Sequence, residues 1–300
     1  MNTALPSILS TAIVAPLLPG IAAHGHKGSY GSVLVVGGSE QFIGAPLLAA
    51  TAAYRVGAGL VSLGLDERLK AFVTLRQLGF TYHWLSGEQD PMATLGLDKY
   101  QALIIGPGWG NPTQRTDLVQ LLLKSAQSMA LPVVLDADGL NAVDGHILEN
   151  LATAWKSVPV LTPHPKEFCR LTKITMAELQ QNRLHLALKY AKLYGAVMVL
   201  KGADTVIALP DGQSWVNDAD IPALSVAGTG DVLAGMIGGL LAQGLSPANA
   251  SKAGVFVHAM TGQSWQKQDK KRGMMGDDLL AIIPSMLQQL RENYANQTRI

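Results

Sequence analysis

Ser32-Val33-Leu34-Val35-Val36-Gly37-Gly38 is the stretch that decides the fold. A short, unbroken apolar run rich in β-branched residues fits a strand covered on both faces, because a half-exposed strand alternates with polar residues. The glycine pair marks a turn at its end. Downstream, Ala45 to Val56 is small and apolar with helical spacing, and Gly57-Ala58-Gly59 stops it. Leu60-Val61-Ser62-Leu63 follows as the next strand. Strand, helix and strand in that order form a parallel crossover unit.

The same alternation continues. Ala102 to Ile105 is a strand ending in Gly106-Pro107-Gly108, and Pro112 belongs to the loop before a helix from Thr116 to Ser125. Val133-Val134-Leu135-Asp136 and Val160-Leu161-Thr162 are strands, the second leading into Pro163-His164-Pro165. Met176 to Tyr194 reads as one long amphipathic helix, with Thr175 and Glu178 at capping-box spacing. Val197 to Leu200 is a strand ending in Lys201-Gly202. Val206-Ile207-Ala208 and Ser214-Trp215-Val216 flank Pro210-Asp211-Gly212 as a hairpin. Gly230 to Gln243, Pro247 to Met260 and Asp277 to Leu290 are helices. The expectation is an α/β fold: a mostly parallel sheet with helices on both faces, built as one domain over residues 1–300.

Composition limits the function classes. The 300 residues are 48% hydrophobic and 15% charged, which excludes a disordered chain and allows a large core. The net charge of +1 leaves no sequence-wide basic field for nucleic acid and favours a small-molecule partner. The single Cys169 excludes an internal disulfide and fits a reducing, cytoplasmic setting; its expected place is packed in a helix. Met1 to Ala23 carries no charge, yet it lacks a basic leader and is interrupted by Pro6, Pro16 and Pro19. It reads as a helix and turn, residues 1–23, docked on the domain. The apolar run from Val226 to Gly244 contains Asp231, so no membrane span is expected. Lys267 to Arg272 reads as a solvated basic loop.

In an open parallel sheet, ligands bind beyond the carboxyl ends of the strands. Gly37-Gly38, Gly106-Pro107-Gly108, Asp136-Ala137-Asp138, Thr162-Pro163-His164 and Lys201-Gly202 all fall on that rim. So many clusters on one rim call for a long ligand, or for two side by side. Ala227-Gly228-Thr229-Gly230-Asp231, ahead of the apolar helix Val232 to Gln243, is the strongest element. Glycines let backbone N–H groups approach an anion, and the following helix adds the positive end of its dipole. Asp231 then stands beside the anion hole; its alternative is to cap the helix. No GxxxxGK[ST] loop or GxGxxG fingerprint is present. Asp136 and Asp138 fit either a metal or the cap of the turn into Leu140. His24 and His26 lie close together without a third ligand nearby.

Taken in order, these segments resemble the ADP- or ATP-dependent NAD(P)H-hydrate dehydratases of the ribokinase-like superfamily. The resemblance runs from about His26 to Pro284. It is carried by His26-Lys27-Gly28-Ser29-Tyr30-Gly31, Val35-Val36-Gly37-Gly38-Ser39, Gly44-Ala45-Pro46, Gly57-Ala58-Gly59-Leu60-Val61 and Gly106-Pro107-Gly108. Leu135 to Asn141, Leu161 to Pro165, Leu200-Lys201-Gly202 and Ala227 to Asp231 complete it. It implies a three-layer α/β/α sandwich with a mostly parallel central sheet. It also implies nicotinamide cofactor repair. The S-form of hydrated NADH or NADPH is phosphorylated on its ring hydroxyl by ADP or ATP with Mg²⁺, and loss of phosphate restores the ring double bond. Hydroxide is a poor leaving group and phosphate a better one, so such a site needs a base, an anion hole and an offset for charge.

Residue by residue, the resemblance makes Asp231 the base and Gly228, Thr229 and Gly230 the anion hole. Lys201, Gly202, Ala203, Asp204 and Thr205, with Gly230, would hold the nucleotide. Ala45, Gly108, His164 and Asp231 would face the hydrated dinucleotide, and Glu167 would orient Mg²⁺ through water. His164 on its own could equally satisfy a loop carbonyl. A dehydratase without a fused epimerase and a homotetramer are further implications, and a stand-alone module of this kind points to ADP.

The family often has Gly-Asn-Pro shortly before the glycine turn, where this chain reads Asp220-Ile221-Pro222-Ala223-Leu224-Ser225-Val226. That departure puts contacts made by the loop in question. The competing readings are a superfamily kinase acting on a hydroxymethyl group, which would leave a stable phosphoester, and a non-catalytic nucleotide-binding protein.

Overall fold

The computed structural model describes residues 5–20, 24–73, 79–86, 90–110, 112–267 and 272–297. Its strands are β1 (Ser7–Ile8), β2 (Ser32–Val36), β3 (Leu60–Asp66), β4 (Thr81–Leu85) and β5 (Ala102–Ile105). They continue with β6 (Val133–Leu135), β7 (Val160–Leu161), β8 (Val197–Leu200), β9 (Asp204–Ala208) and β10 (Ser214–Asp218). All join one sheet in the order β1-β10-β9-β8-β7-β6-β5-β2-β3-β4. Strand β9 is antiparallel to β8 and β10, and every other pairing is parallel.

The unbroken run of β2 now has its cause. Val33 and Val35 enter one core, built with helices Gly44–Arg55, Thr229–Ala242, Pro247–Gln266 and Gly276–Gln297. Leu34 and Val36 enter another on the opposite face, with helices Thr116–Met129, Gly145–Ala152, Pro165–Thr172 and Arg183–Tyr194. Successive strand residues point to opposite faces, so a sheet covered twice needs apolar residues at every position. This is a three-layer α/β/α sandwich.

Two strands have no counterpart in the pattern of apolar runs. β1 and β4 are the outermost strands, and Thr81-Tyr82-His83-Trp84-Leu85 of β4 is half-buried rather than a core run. The helix expected over Met176 to Tyr194 is two helices, Met176–Gln181 and Arg183–Tyr194, separated by Asn182 at φ −134°. The Thr175–Glu178 capping box is present. The break begins a new helix at Arg183, whose Nη2 donates to the carbonyls of Leu200 and Lys201, each at 2.8 Å. His26 accepts from Gly28 N–H as the cap of the turn Lys27–Tyr30.

Val14, Ala15 and Leu18 lie in the same core as Val33, and Arg291 Nη2 donates to the Pro19 carbonyl at 3.1 Å. Residues 1–4 and 21–23 of the segment 1–23, and residues 268–271 of the basic run, lie outside the described residues. Among the described residues no helix is long and apolar enough to cross a membrane.

Winding reverses at β2. On one side lie β3 and β4; on the other β5, β6, β7 and β8. The turns after β2 and β5 meet there, with Gly38 N–H donating to the Pro107 carbonyl at 2.8 Å. Such a reversal opens a crevice at the carboxyl ends of the strands.

Helix Thr229–Ala242 is buried along nearly its whole length. The glycines around it serve different ends. Gly228 and Gly230 lie at the mouth, whereas Gly235 and Gly239 face helix Gly44–Arg55. A methyl group at Gly235 would overlap the Ala49 carbonyl oxygen. Gly235→Ala is therefore expected to cost about 1–3 kcal/mol through overpacking, read as a lower urea midpoint. Gly44→Ala, where nothing lies within 4 Å of the added carbon, leaves the midpoint essentially unchanged.

Candidate active site

The glycine turn is held open by its backbone. Gly228 is the N-cap of helix Thr229–Ala242 at φ 92°, ψ −22°, a left-handed conformation that favours glycine. A Cβ there would lie 2.8 Å from Leu48 Cδ1. No side chain caps this helix. Its first-turn N–H groups and dipole are thus available to an anion. The Thr229 hydroxyl donates to the carbonyls of Leu224 (2.9 Å) and Val226 (3.0 Å), so what Thr229 offers an anion is its backbone N–H. Asp231 sits in the first turn and is not the cap.

Beside this turn lies a crowded group of charges. Lys201, at the end of β8, donates from Nζ to Asp136 Oδ1, at the end of β6, over 2.8 Å. Asp136 is 1% exposed and Lys201 18%. Asp136 Oδ1 also accepts from the Thr162 hydroxyl at 2.7 Å. A Cβ on Gly230 would lie 3.3 Å from Lys201 Nζ, which puts the ammonium against the glycine turn. Burial opposes the charge on Lys201, but Asp136, Glu167 and Asp231 outweigh it and raise its pKa. Burial, together with the charges of Asp136, Asp138 and Glu167, pushes Asp231 from 3.8 up to about 7, against the opposing pull of Lys201. A carboxyl poised near neutrality beside an anion hole is suited to general-base work.

Asp136 and Asp138 both have structural roles. Asp136 is the counter-ion of Lys201 and makes no side-chain cap. Asp138 accepts from Gly110 N–H at 2.8 Å and from Asn141 Nδ2 at 3.2 Å, fastening the loop after β5 to helix Ala137–Asn141. Among the described residues no three His, Cys, Asp or Glu side chains are grouped to hold a metal.

His164 is the N-cap of helix Pro165–Thr172, and its Nδ1 accepts from Lys166 N–H (3.1 Å) and Glu167 N–H (3.2 Å). Those bonds assign the ring proton to Nε2, which faces Glu167 Oε1 at 3.3 Å. Glu167 Oε2 in turn accepts the His164 backbone N–H at 2.8 Å. Burial and the Lys201 charge lower the His164 pKa, which keeps the ring neutral. Burial raises Glu167 to about 6. On the other side of the rim Ala45 and Gly108 adjoin: a Cβ on Gly108, at φ 70°, would lie 2.8 Å from that of Ala45. Cys169 lies in helix Pro165–Thr172, half-buried.

A cavity of about 220 Å³ opens on the far side of Lys201. Lys201, Gly202, Ala203, Thr205, Thr229 and Gly230 line it. Asp204 does not; its carboxylate lies 3.5 Å from Arg183 Nε. The divergent loop forms one wall, through Asp220, Ile221, Leu224 and Ser225. His258 closes the base, with Nε2 2.9 Å from the Thr229 carbonyl, and burial lowers its pKa to about 4. A neutral His258 therefore donates to that carbonyl and steadies the glycine turn from below. Sequence reasoning missed His258, Arg183 and the pairing of Asp136. Each acts across elements distant in the chain, and only the strand order brings them together.

Removing the ammonium strands a buried carboxylate. Lys201→Met is expected to destabilise the fold by about 3–5 kcal/mol in urea unfolding. Adding Asp136→Leu recovers most of the loss, because the buried carboxylate that Lys201 paired with directly is then gone as well.

The chain is similar to known proteins in sequence and in fold. A family model described as NAD(P)H-hydrate dehydratase matches residues 33–285. The bifunctional NAD(P)H-hydrate repair enzyme of Moorella thermoacetica is 40% identical over 95% of this chain. The chain spans about half, 54%, of that relative's length. The ADP-dependent (S)-NAD(P)H-hydrate dehydratase of Bacillus subtilis is 34% identical over 90% of this chain and 94% of its own. A crystal structure of the Bacillus subtilis ADP/ATP-dependent NAD(P)H-hydrate dehydratase, co-crystallised with ATP and Mg²⁺, superimposes with a TM-score of 0.80 at 30% identity. That alignment covers 97% of this chain and 99% of the other. A ribokinase-like superfamily protein of Enterococcus faecalis shares the fold, with a TM-score of 0.82 at 23% identity over 97% of this chain and 99% of its own. By sequence and by fold, the chain belongs to the NAD(P)H-hydrate dehydratase family.

Proposed function

We propose that the protein dehydrates the S-form of hydrated NADH or NADPH at the expense of ADP or ATP. The observation that carries this reading is Asp231: a carboxyl raised to about 7, in the first turn of an uncapped helix whose N–H groups adjoin Lys201. Asp231 takes the proton of the ring hydroxyl as its oxygen forms a bond to the terminal phosphorus of the nucleotide. The phosphorus–oxygen bond to the leaving nucleotide breaks, and N–H groups of Gly228, Thr229 and Gly230 with the Lys201 ammonium hold the phosphoryl oxygens. The carbon–oxygen bond then breaks, drawn by phosphate departure and pushed by the ring nitrogen, and loss of a ring proton restores the double bond.

The nucleotide takes the cavity beyond Lys201, its base against Ile221 and Leu224. The substituted loop thus keeps an apolar wall in place of the family's small residues. The hydrated ring lies on the other side of Lys201, toward Asp136, His164 and the Ala45–Gly108 contact. Mg²⁺ fits as a water-coordinated ion: the carboxylates Asp136, Asp138, Glu167 and Asp231 crowd one region without converging into a cage. Glu167 would hold it through water, and the ion would offset charge on the phosphates. One domain over 1–300, a homotetramer and a cytoplasmic setting belong to the same proposal: the first is supported by the continuous alternation of strands and helices, the second by the family resemblance and the third by the single Cys169.

The test is to incubate the purified protein with hydrated NADH, Mg²⁺ and either ADP or ATP, following the reduced-nicotinamide absorbance and free phosphate. Both are expected to rise together; a stable phosphoester without recovered NADH identifies a kinase. Asp231→Asn is expected to lower kcat about a hundredfold to ten-thousandfold. The base must be ionised to act, so kcat/KM is expected to rise with pH and level off above an apparent pKa of about 7. A flat profile from pH 5 to pH 9 (roughly the range enclosing ordinary catalytic groups) would contradict the assignment.

A further inference from the structure

A second cavity, of about 430 Å³, lies on the same rim and has no part in the chemistry above. Asp66, at the end of β3, and Leu85, at the end of β4, form its floor, with Arg68 and Arg115 on its walls. Arg68 grips Asp66 in a fork, Nε to Oδ1 at 2.9 Å and Nη2 to Oδ2 at 2.8 Å. Arg115 Nη2 reaches the same Oδ2 at 3.3 Å. Arg68 also pairs with Glu40 at 3.3 Å. The guanidiniums hold the Asp66 carboxyl at about 2.

The cavity's position decides its use. The crevice at the winding reversal runs between β2 and β5. On the β6 side the rim carries Asp136 and its partner Lys201; on the β3 side it carries Asp66 and this cavity. Strands β6 and β3 are three places apart in the sheet, roughly 14 Å at the usual strand spacing. That separation suits a dinucleotide, with the reacting ring at one end and the adenosine at the other. The loop between β2 and helix Gly44–Arg55 joins the two ends, since Glu40 pairs with Arg68 while Phe42 packs on Gly108 and Gly110. A carboxylate ending the second strand of a βαβ unit is placed for ribose hydroxyls, and a neighbouring arginine for a 2′-phosphate.

Building on the dehydratase reading, we infer that this cavity receives the adenosine ribose of the hydrated dinucleotide and that Arg115 and Arg68 favour the 2′-phosphate over the 2′-hydroxyl. Arginine forks match phosphate oxygens, and Asp66 keeps both guanidiniums aligned while contributing a charge that repels phosphate. The enzyme therefore accepts both substrates, with Asp66 and Arg115 pulling the preference in opposite directions.

The experiment compares kcat/KM for hydrated NADPH with that for hydrated NADH. Arg115→Gln is expected to lower the NADPH-over-NADH ratio about tenfold or more, as loss of a charged hydrogen bond does. Asp66→Asn is expected to raise the ratio, and Arg115→Lys to recover part of the loss. Opposite signs separate recognition from simple damage to folding. As a measurement independent of turnover, calorimetry with ADP saturating the other cavity should find 2′,5′-ADP binding the wild type about tenfold tighter than 5′-AMP. Arg115→Gln should abolish that difference. An unchanged ratio in both variants, shifts of the same sign, or equal binding of the two probes overturns the assignment. If the wild type turns over neither hydrate, the dehydratase reading fails instead, and the binding comparison alone decides the cavity.

Discussion

The buried pair of Lys201 and Asp136 is the constraint on which the site depends. It joins the ends of β8 and β6, separated in the sheet by β7, and sets an ammonium against the glycine turn. Without it, Asp136 would carry an uncompensated charge in a water-poor interior. With it, the remaining carboxylates share one cation, and Asp231 is left short of compensation. A carboxyl raised from 3.8 to about 7 stabilises the fold fully only below its ordinary range and loses that contribution as pH rises through 7. At neutral pH the fold therefore carries a destabilising group at the point where the proposed reaction needs a proton acceptor, a common trade at catalytic sites.

Sheet winding does the rest of the positioning. One reversal, between β2 and β5, opens the crevice, and every rim cluster is delivered by the end of a parallel strand. The glycines serve two separate demands. Gly228 turns the chain so that the first N–H groups of the helix are left without a side-chain cap, while Gly235 and Gly239 lower the helix Thr229–Ala242 onto Gly44–Arg55. The second demand fixes the first, because the glycine turn rides on a helix that has no room to shift.

Much of this was legible in the residues. Strands covered on both faces announce themselves as apolar runs, and the β9–β10 hairpin announced itself through Pro210-Asp211-Gly212. Ala227 to Asp231 stood out by glycine density, and Gly228 takes the left-handed N-cap position of a helix that no side chain caps. The edge strands β1 and β4 were not legible, because one is two residues long and the other packs only in part. The break at Asn182 was hidden by helical spacing that continues across it. Asp136 looked like a metal ligand or a cap because its partner lies sixty-five positions away. His164 carries a cap that no generic pattern foretells, since histidine stands where serine or aspartate is usual. The cavity beside Asp66 needed the strand order, which sets the ends of β3 and β4 side by side.

The central claim is that Asp231 is a proton acceptor tuned close to neutrality by its neighbours. Its carboxyl can be followed directly by carbon-13 NMR of aspartate-labelled protein, assigned by difference from Asp231→Asn. The account predicts a titration midpoint of about 7. A midpoint at the ordinary aspartate value of 3.8 would contradict it.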